Sequence, residues 1–432
     1  MGPCIHTFSL NRASSKDGSL AIPLAELFPG RRPLPYADAC AYFHRQPNTQ
    51  WAAYILGCLL VLATEKGVEV DAEESVVLMV KSDVPEGKGV SSSASVEVAT
   101  MSALCAAYGV DTTGRELALL CQKAENLVVG APCGVMDQMA SALGEEGRLL
   151  ALLCQPAEVQ GCVPLPCGAK VWGIDSGRAH KVSGADYGSV RIGAFMGRRI
   201  AGVLGAPPRG GYLVNLSPSS FETRIAATLP EVIAGEEFLE KYGPHGDDVT
   251  KIEGGKRYAV RAPTAHPIYE HFRIQAFKQL LLSAPAPRES TLPDATRPQP
   301  ATCESTHGDA ERLAVLGELM LQSHASYGAC GLGSDGTDRL VDLVRLEMDS
   351  GAHPPALFGA KITGGGSGGT VCVLAAASGD GDAAVARVAS RYQAWAGAQE
   401  PPKVFVGSSM GAVQFGTLRV RALRASKART GS

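Results

Sequence analysis

The sequence predicts a protein of mixed helices and strands that forms either two domains or one large two-lobed unit. Its 432 residues exceed the length of an average domain and could bury a sizeable core. Apolar residues make up 45% and charged residues 19% of the chain, which excludes wholesale disorder and a coiled coil. Segments with helical apolar spacing are interspersed with short apolar runs typical of strands. Length, composition and apolar spacing together support the prediction.

The individual elements follow from the spacing of the apolar residues. The apolar run from Trp51 to Ala63 suits a buried helix and, at thirteen residues, is shorter than the ~18 that a membrane-spanning helix needs. Helices are predicted at 50–66, 91–109, 115–129, 187–203, 268–282, 312–326, 337–348 and 382–397. Strands are predicted at Ser75–Lys81, Arg148–Leu153, Lys170–Asp175, Phe358–Thr363, Thr370–Ala376, Lys403–Val406 and Thr417–Arg421.

Charge and cysteine content restrict the partners of the protein. The net charge of −3 and the pI near 6.3 provide no general positive field for nucleic acid or an anionic membrane. The N-terminus shows no secretory signal, and the twelve cysteines are scattered without a CxxC pair, which favours reduced, buried thiols over disulfides or zinc ligands. We therefore expect a cytoplasmic protein that binds small molecules, with no nucleic-acid or membrane partner.

Two segments differ in composition from the rest of the chain. Residues 285–310 carry five prolines between 285 and 300 and almost no large apolar residue, which predicts a disordered surface insertion. Five basic residues follow Leu418, and a solvated, frayed end is favoured there over an arm that binds nucleic acid.

The first chemical motif is the stretch PEGKGVSSSAS at 85–95, between a predicted strand and a predicted helix. Gly87 and Gly89 let the backbone approach an anion closely. The amides at the start of a helix add a partial charge of roughly +0.5, and three serines add hydroxyl donors. The motif predicts a phosphate cradle without the GxxxxGK[ST] order of a Walker loop. A serine-capped helix after a glycine turn explains it equally well.

Two further glycine loops carry the other candidate groups. The loop GAPCGVMDQ at 130–138 presents Asp137 at the start of a helix, where a helix cap is the alternative. Glu125 lies near the end of the preceding helix, and most such residues are solvated surface charges. The loop KITGGGSGGT at 361–370 holds five glycines between two predicted strands. These glycines indicate either close backbone approach or a flexible hairpin.

In this order, the three loops resemble those of the sugar and small-molecule kinases of the GHMP superfamily. The stretches LALLCQKAEN, WGIDSG, GADYGSVRIGAFMGR and YGACGLGSDGTDRL narrow the resemblance to the galactokinase-like kinase domain of the plant-type L-arabinokinase family, over residues 50–420. The resemblance implies an α+β fold of two lobes. Residues 1–180 would form the N-terminal lobe, with the phosphate loop and the catalytic aspartate, and residues 181–432 the C-terminal lobe.

One family feature is not found in the sequence. These kinases begin with a strand that carries an arginine-containing sugar-binding motif of the form GRxxxxGxHxDY. We therefore expect a GHMP kinase fold that lacks this first N-terminal strand, with an uncovered sheet edge and a sugar site without the arginine. Residues 1–35 show little clear pattern.

The resemblance implies an ATP-dependent, Mg²⁺-using sugar 1-kinase that converts L-arabinose to β-L-arabinose 1-phosphate. Galactose or galacturonate as substrate, and a truncated or inactive regulator that binds sugar or nucleotide, are the alternatives. Asp137 would accept the proton of the anomeric hydroxyl, and Ser93 and Glu125 would hold Mg²⁺. The sugar would also contact Tyr187, Gly365 and Gly366. The ATP phosphates would lie against Gly87, Lys88, Gly89, Val90, Ser91, Ser92 and Ser93, although a solvated Lys88 suits the sequence as well.

Overall fold

The computed structural model describes residues 3–12, 18–45, 49–71, 73–166, 168–178, 185–283, 307–350 and 355–420. The predicted insertion at 285–310 lies outside the described residues as far as residue 306, and residues 307–310 begin a helix. The basic tail beyond Val420 also lies outside the described residues.

The chain up to residue 175 forms two small sheets, several helices and the first strand of a further sheet. Its strands are β1 (Cys4–Ser9), β2 (Ser19–Pro23), β3 (Val76–Val80), β4 (Arg148–Leu153), β5 (Glu158–Pro164) and β6 (Ala169–Asp175). Its helices are α1 (Leu24–Leu27), α2 (Tyr36–His44), α3 (Gln50–Lys66), α4 (Ser92–Tyr108), α5 (Gly114–Lys123) and α6 (Met136–Leu143). A π-helical segment, Ala124–Val129, continues α5.

The remainder is mainly helical. Its helices are α7 (Ala185–Val203), α8 (Pro218–Arg224), α9 (Gly235–Tyr242), α10 (Arg261–Leu282), α11 (His307–Ala329), α12 (Asp335–Met348), α13 (Gly379–Ala396) and α14 (Ala412–Phe415). Its strands are β7 (Val232–Ala234), β8 (Arg257–Ala259), β9 (Leu357–Ile362), β10 (Thr370–Ala376) and β11 (Val404–Val406). The helices and strands together confirm the predicted α+β class.

The first sheet has the order β2-β1-β3, with β1 antiparallel to β2 and parallel to β3. Ile5 and Thr7 of β1 point into the core and are fully buried. On β3, Val77 and Met79 are 59% and 64% exposed, and no strand within the described residues pairs with the other edge of β3.

Helix α3 forms the centre of the core beneath this sheet. It is apolar on all sides, which is the pattern of a helix surrounded by protein, and eleven of its residues are buried. It packs against α4, which follows the phosphate loop, and against the π-helical segment, which precedes the loop that carries Asp137. Both segments are therefore supported by the same helix.

A four-stranded antiparallel sheet has the order β11-β6-β10-β9, and we call it the second sheet. Helices α12 and α13 cover it through a core that includes Leu340, Val344, Val371 and Val388. The loop between β9 and β10 carries the third glycine motif. Strand β6 pairs with β10 and β11 although it precedes the expected lobe boundary at residue 180, and that boundary stays a prediction.

The structure confirms most predicted elements and corrects others. The helix at 50–66 has its predicted bounds, and those at 268–282 and 312–326 extend to Arg261–Leu282 and His307–Ala329. The strand predicted at Thr417–Arg421 is wrong: the described residues there form no strand, and Leu418 and Val420 are over 80% exposed. No element was predicted at β1, β2 or β5. No helix in the described part of the chain is long and apolar enough to cross a membrane.

Candidate active site

The predicted phosphate loop connects β3 to α4. Gly87, Gly89 and Ser91 all have left-handed backbone conformations, with φ of +71°, +65° and +58°. Ser91 is the residue before the helix, yet its side chain makes no capping hydrogen bond. The first amides of α4, from Ser92 and Ser93 onward, are therefore not satisfied by the capping arrangement that was the alternative, and they suit an anion.

The third glycine loop lies directly against the phosphate loop. Thr370 Oγ1 donates to the Lys88 carbonyl over 2.8 Å, and Thr363 Oγ1 donates to the Gly89 carbonyl over 3.1 Å. A Cβ atom on Gly89 would lie 3.1 Å from the Gly369 Cα atom, so the two backbones meet without room for a side chain. The glycines therefore allow the two loops to approach each other closely, and the alternative of a flexible hairpin does not apply.

The Lys88 side chain is partly exposed, but its ammonium group is paired with an acid. Its Nζ atom forms an ion pair with Asp175 Oδ2 at 2.9 Å, at the end of β6. The lysine side chain therefore links the phosphate loop to the second sheet.

A cavity of about 690 Å³ opens next to the phosphate loop. Its wall combines loop residues with apolar groups from α3, α4 and the β3 region. No sequence motif predicted this cavity, because its wall comes from distant segments. The lining residues include Trp51, Tyr54, Ile55, Val80, Val84, Gly87, Ser92, Ser93 and Val96.

Glu125 is a buried acid and not the surface charge that its helical position favours. Its side chain is 7% exposed and accepts hydrogen bonds from Gln138 Nε2 at 2.5 Å and Cys133 Sγ at 3.2 Å. Burial raises the pKa of Glu125, and the charge of Asp137 adds to the rise against the lowering effect of the hydrogen bonds. The Ser93 side chain also acts on Glu125 and lowers its pKa.

A second buried acid, Glu97 of α4, lies near Glu125. It is fully buried, and Gln138 Nε2 contacts its Oε2 atom at 3.1 Å while contacting Glu125. Burial and the charge of Glu125 raise the pKa of Glu97 well above its usual range. The motif SSSASVE contains Glu97, but an acid within a helix gives no sign in sequence that it is buried.

Asp137 lies on α6 as the second residue of the helix, so it is not the cap that was its alternative. It is half-buried and acts electrostatically on Glu125, Tyr187 and Tyr327. Burial raises the pKa values of both tyrosines. The structure therefore brings the predicted residues Ser93, Glu125, Asp137 and Tyr187 to one region.

Tyr327 of α11 was not predicted as a site residue, although it begins the quoted motif YGACGLG. Its hydroxyl donates to the Gly364 carbonyl over 3.0 Å, and a Cβ atom on Gly366 would meet its ring at 3.2 Å. The same Cβ atom would lie 2.6 Å from the Leu332 carbonyl oxygen. Gly365 and Gly366 thus lie in a loop whose path is set by α11 and the segment after it.

Helix α7, which carries Tyr187, is held by an ion pair one turn further on. Arg191 donates to both oxygens of Asp247 at 2.8 Å, and the Asp247 side chain is only 3% exposed. Burial alone would raise the pKa of Asp247, but hydrogen bonds from Arg191 and Thr250 outweigh it and hold the pKa well below its usual range. The pair therefore stabilises the fold while Asp247 is ionised.

Asp247→Asn is expected to lower the free energy of unfolding at pH 7 by about 2 kcal/mol, the size of a hydrogen-bonded charge contact. The pKa of Asp247 is lower in the folded than in the unfolded protein. The stabilisation is therefore complete above the unfolded value of about 4 and is lost as the pH falls through the folded value. Urea unfolding at pH 7 and pH 3 should show a deficit that shrinks in acid. Asp248→Asn, at the exposed neighbouring residue, serves as the control, and an equal loss there would contradict the assignment.

Residues 53–145 match the family described as GHMP kinases N terminal domain. The fold is similar to the crystal structure of Lactococcus lactis galactokinase complexed with galactose, with a TM-score of 0.66 at 20% identity. That match covers 95% of this chain and 83% of the other, and it shows a shared fold.

Among characterised relatives, a galactokinase from Chloroflexus aurantiacus is 30% identical over 360 residues, which cover 83% of this chain and 75% of that protein. The chain therefore belongs to the GHMP kinase family, among its galactokinase-like sugar kinases. It is also 45% identical to the L-arabinokinase of Arabidopsis thaliana over 95% of its own length. The chain spans 40% of the length of that relative.

Proposed function

We propose that this chain is an ATP-dependent sugar 1-kinase that transfers the γ-phosphoryl group of ATP to the anomeric hydroxyl of L-arabinose. The products are β-L-arabinose 1-phosphate and ADP. The observation that carries the proposal is the 45% identity to the Arabidopsis L-arabinokinase across 95% of this chain. The clustering of Ser93, Glu125 and Asp137 beside two glycine loops supports it independently. A cytoplasmic location stays a prediction from the sequence.

The nucleotide would occupy the 690 Å³ cavity and the adjoining loop. The apolar side chains of Trp51, Tyr54 and Val96 suit a purine base, and the cavity has the size of a typical small-molecule site. The phosphates would lie at the start of α4, where the backbone from Gly87 to Ser93 offers amides and the helix dipole favours anions.

The donor set around Glu125 fits magnesium. Against the effect of burial, the Ser93 side chain lowers the pKa of Glu125, which indicates that these two oxygen-bearing groups lie near each other at the start of α4. No cluster of three His, Cys, Asp or Glu side chains is poised for a metal within the part of the chain that is described. Mg²⁺ takes one or two protein oxygens together with phosphates and water, which matches this sparse set. When bound, the ion would neutralise charge on the phosphates.

Asp137 would act as the general base. As the anomeric oxygen attacks, its proton passes to the Asp137 carboxylate, the new O–P bond forms at the γ-phosphorus, and the bond to the β–γ bridging oxygen breaks with release of ADP. Tyr187 and the backbone at Gly365 and Gly366 would hold the sugar between Asp137 and the phosphate loop. Such a transfer depends mainly on positioning and electrostatics.

A coupled assay for ADP release tests the proposal. The purified chain is given Mg²⁺, ATP and L-arabinose, D-galactose or D-galacturonate, and the sugar phosphate is identified by mass spectrometry. The proposal predicts the highest kcat/KM with L-arabinose. Galactose is the second candidate because the Chloroflexus aurantiacus galactokinase matches this chain across 75% of its own length. ATP binding without turnover of any sugar would instead support an inactive nucleotide-binding regulator.

A further inference from the structure

Lys88 and Asp175 join two parts of the site that are far apart in sequence. Lys88 lies between the two left-handed glycines of the phosphate loop, and Asp175 ends β6 in the second sheet. Their ion pair measures 2.9 Å, with the lysine side chain 37% exposed and the aspartate side chain 6% exposed. The second Asp175 oxygen, Oδ1, accepts from the Gly177 amide at 2.8 Å. The Gly177 amide therefore holds the carboxylate in place, and the lysine side chain reaches it from the phosphate loop.

The backbone around Lys88 is tied to the same sheet. The carbonyl of Lys88 accepts from Thr370, which is buried on β10, and the carbonyl of Gly89 accepts from Thr363. On the opposite side, Gly369 is held by Ser176, whose hydroxyl donates to the Gly369 carbonyl over 2.5 Å. The ion pair is thus one of several contacts that act at a single point between the loop and the sheet.

We propose that Lys88 is a positioning residue: its ion pair with Asp175 fixes the phosphate loop against the second sheet, and its ammonium group does not ligate phosphate. This proposal rests on the proposed function in one respect, namely that the nucleotide bound at the loop is ATP. Lys88 and Asp175 together carry no net charge, so the pair contributes little attraction to an anion. The positive potential for the phosphates comes from the amides at the start of α4.

Movement of Lys88 to a phosphate would be unfavourable for a second reason. It would leave Asp175 nearly buried with a single amide partner, and a buried carboxylate without its counter-ion is strongly disfavoured. Gly87 and Gly89 give the loop a left-handed backbone on either side of Lys88, while the lysine side chain reaches Asp175 of the second sheet. The loop can therefore present its backbone to phosphate and keep the ion pair at the same time.

The test compares Lys88→Met, Asp175→Asn and the double variant by two measurements. The first is hydrogen exchange of the peptide over 84–95 without nucleotide, and the second is the affinity for a fluorescent ATP analogue. We expect each single variant to speed loop exchange about fivefold and to weaken nucleotide binding about tenfold, with the double variant no worse than either single one. Lys170→Met, which removes an ion pair with Asp382 at the other end of β6, should change neither quantity.

The contrary results are distinct. If Lys88 ligates phosphate, Asp175→Asn frees the lysine and leaves binding unchanged or tighter, while Lys88→Met weakens it; that pattern overturns the proposal. Unchanged loop exchange in both single variants also overturns it. If the unaltered protein binds no nucleotide, the proposed function fails, and loop exchange alone decides the positioning role. Should Asp175→Asn not fold, Lys88→Met alone decides the positioning role: faster loop exchange without nucleotide supports the proposal, and unchanged exchange contradicts it.

Discussion

Asp137→Asn is expected to lower kcat for sugar phosphorylation by roughly 10²–10⁴-fold, the usual contribution of a positioned general base. Asparagine keeps the shape of the side chain and loses its ability to accept the proton of the anomeric hydroxyl. The residue is within helix α6 and is not its cap, so the change removes no capping hydrogen bond. The affinity for ATP should stay within about twofold, because the nucleotide lies against the phosphate loop and the cavity.

The measurement is steady-state turnover with the preferred sugar, together with titration of a fluorescent ATP analogue. Glu146→Gln is a matched control, since Glu146 is an exposed acid shortly after the same helix. Turnover by Asp137→Asn at a rate close to that of the unaltered protein would contradict the role of the base. A loss of ATP binding would indicate instead that the change disturbs the phosphate loop.

Sequence predicted the parts of this site that depend on backbone conformation. Gly87 and Gly89 both have positive φ values, and Gly89 also lies against Gly369, which are conditions that glycine meets most easily. The apolar run likewise gave the bounds of α3, because a continuous apolar run of thirteen residues is too long for an ordinary strand and suits a buried helix. Local chemistry therefore sufficed wherever a local conformation determined the residue type.

Sequence failed where tertiary contacts decide the outcome. The inward face of β1 carries Ile5, Thr7 and Ser9, so the strand lacks the alternation of apolar and polar residues that predicts strands. The segment at 417–421 has that alternation, yet Leu418 and Val420 meet no partner strand in the described structure and stay exposed. Apolar alternation is thus neither necessary nor sufficient when a strand packs at the edge of a core.

The buried acids show the same limit in electrostatics. Glu97 and Glu125 both lie in helical segments whose sequences suit surface positions, and only the packing of α3, α4 and the π-helical segment buries them. The ion pair between Lys88 and Asp175 likewise depends on the meeting of the phosphate loop with the end of β6. Charge partners separated by many residues have no signature in a single sequence.

Glu125→Gln is expected to raise the magnesium concentration needed for half-maximal turnover by about tenfold or more, because an amide binds a hard divalent cation far more weakly than a carboxylate does. The change should preserve packing, since the glutamine oxygen can still accept from Gln138 and Cys133. Turnover is measured across a magnesium titration at saturating ATP and sugar. Saturating magnesium should recover part of kcat, which separates a loss of metal affinity from a loss of folding.

Glu116→Gln provides the comparison for Glu125→Gln. Glu116 lies on α5, one helix earlier, and its side chain is 41% exposed in an ion pair with Lys66, so its loss should cost no more than ~1 kcal/mol of stability and leave the magnesium titration unchanged. If both variants show the same unshifted magnesium dependence, Glu125 does not hold the ion. Its burial beside Glu97 would then serve packing alone, and two buried acids without a cation would be an unfavourable way to fill a core. That unfavourable cost is the physical reason for expecting the shift at Glu125.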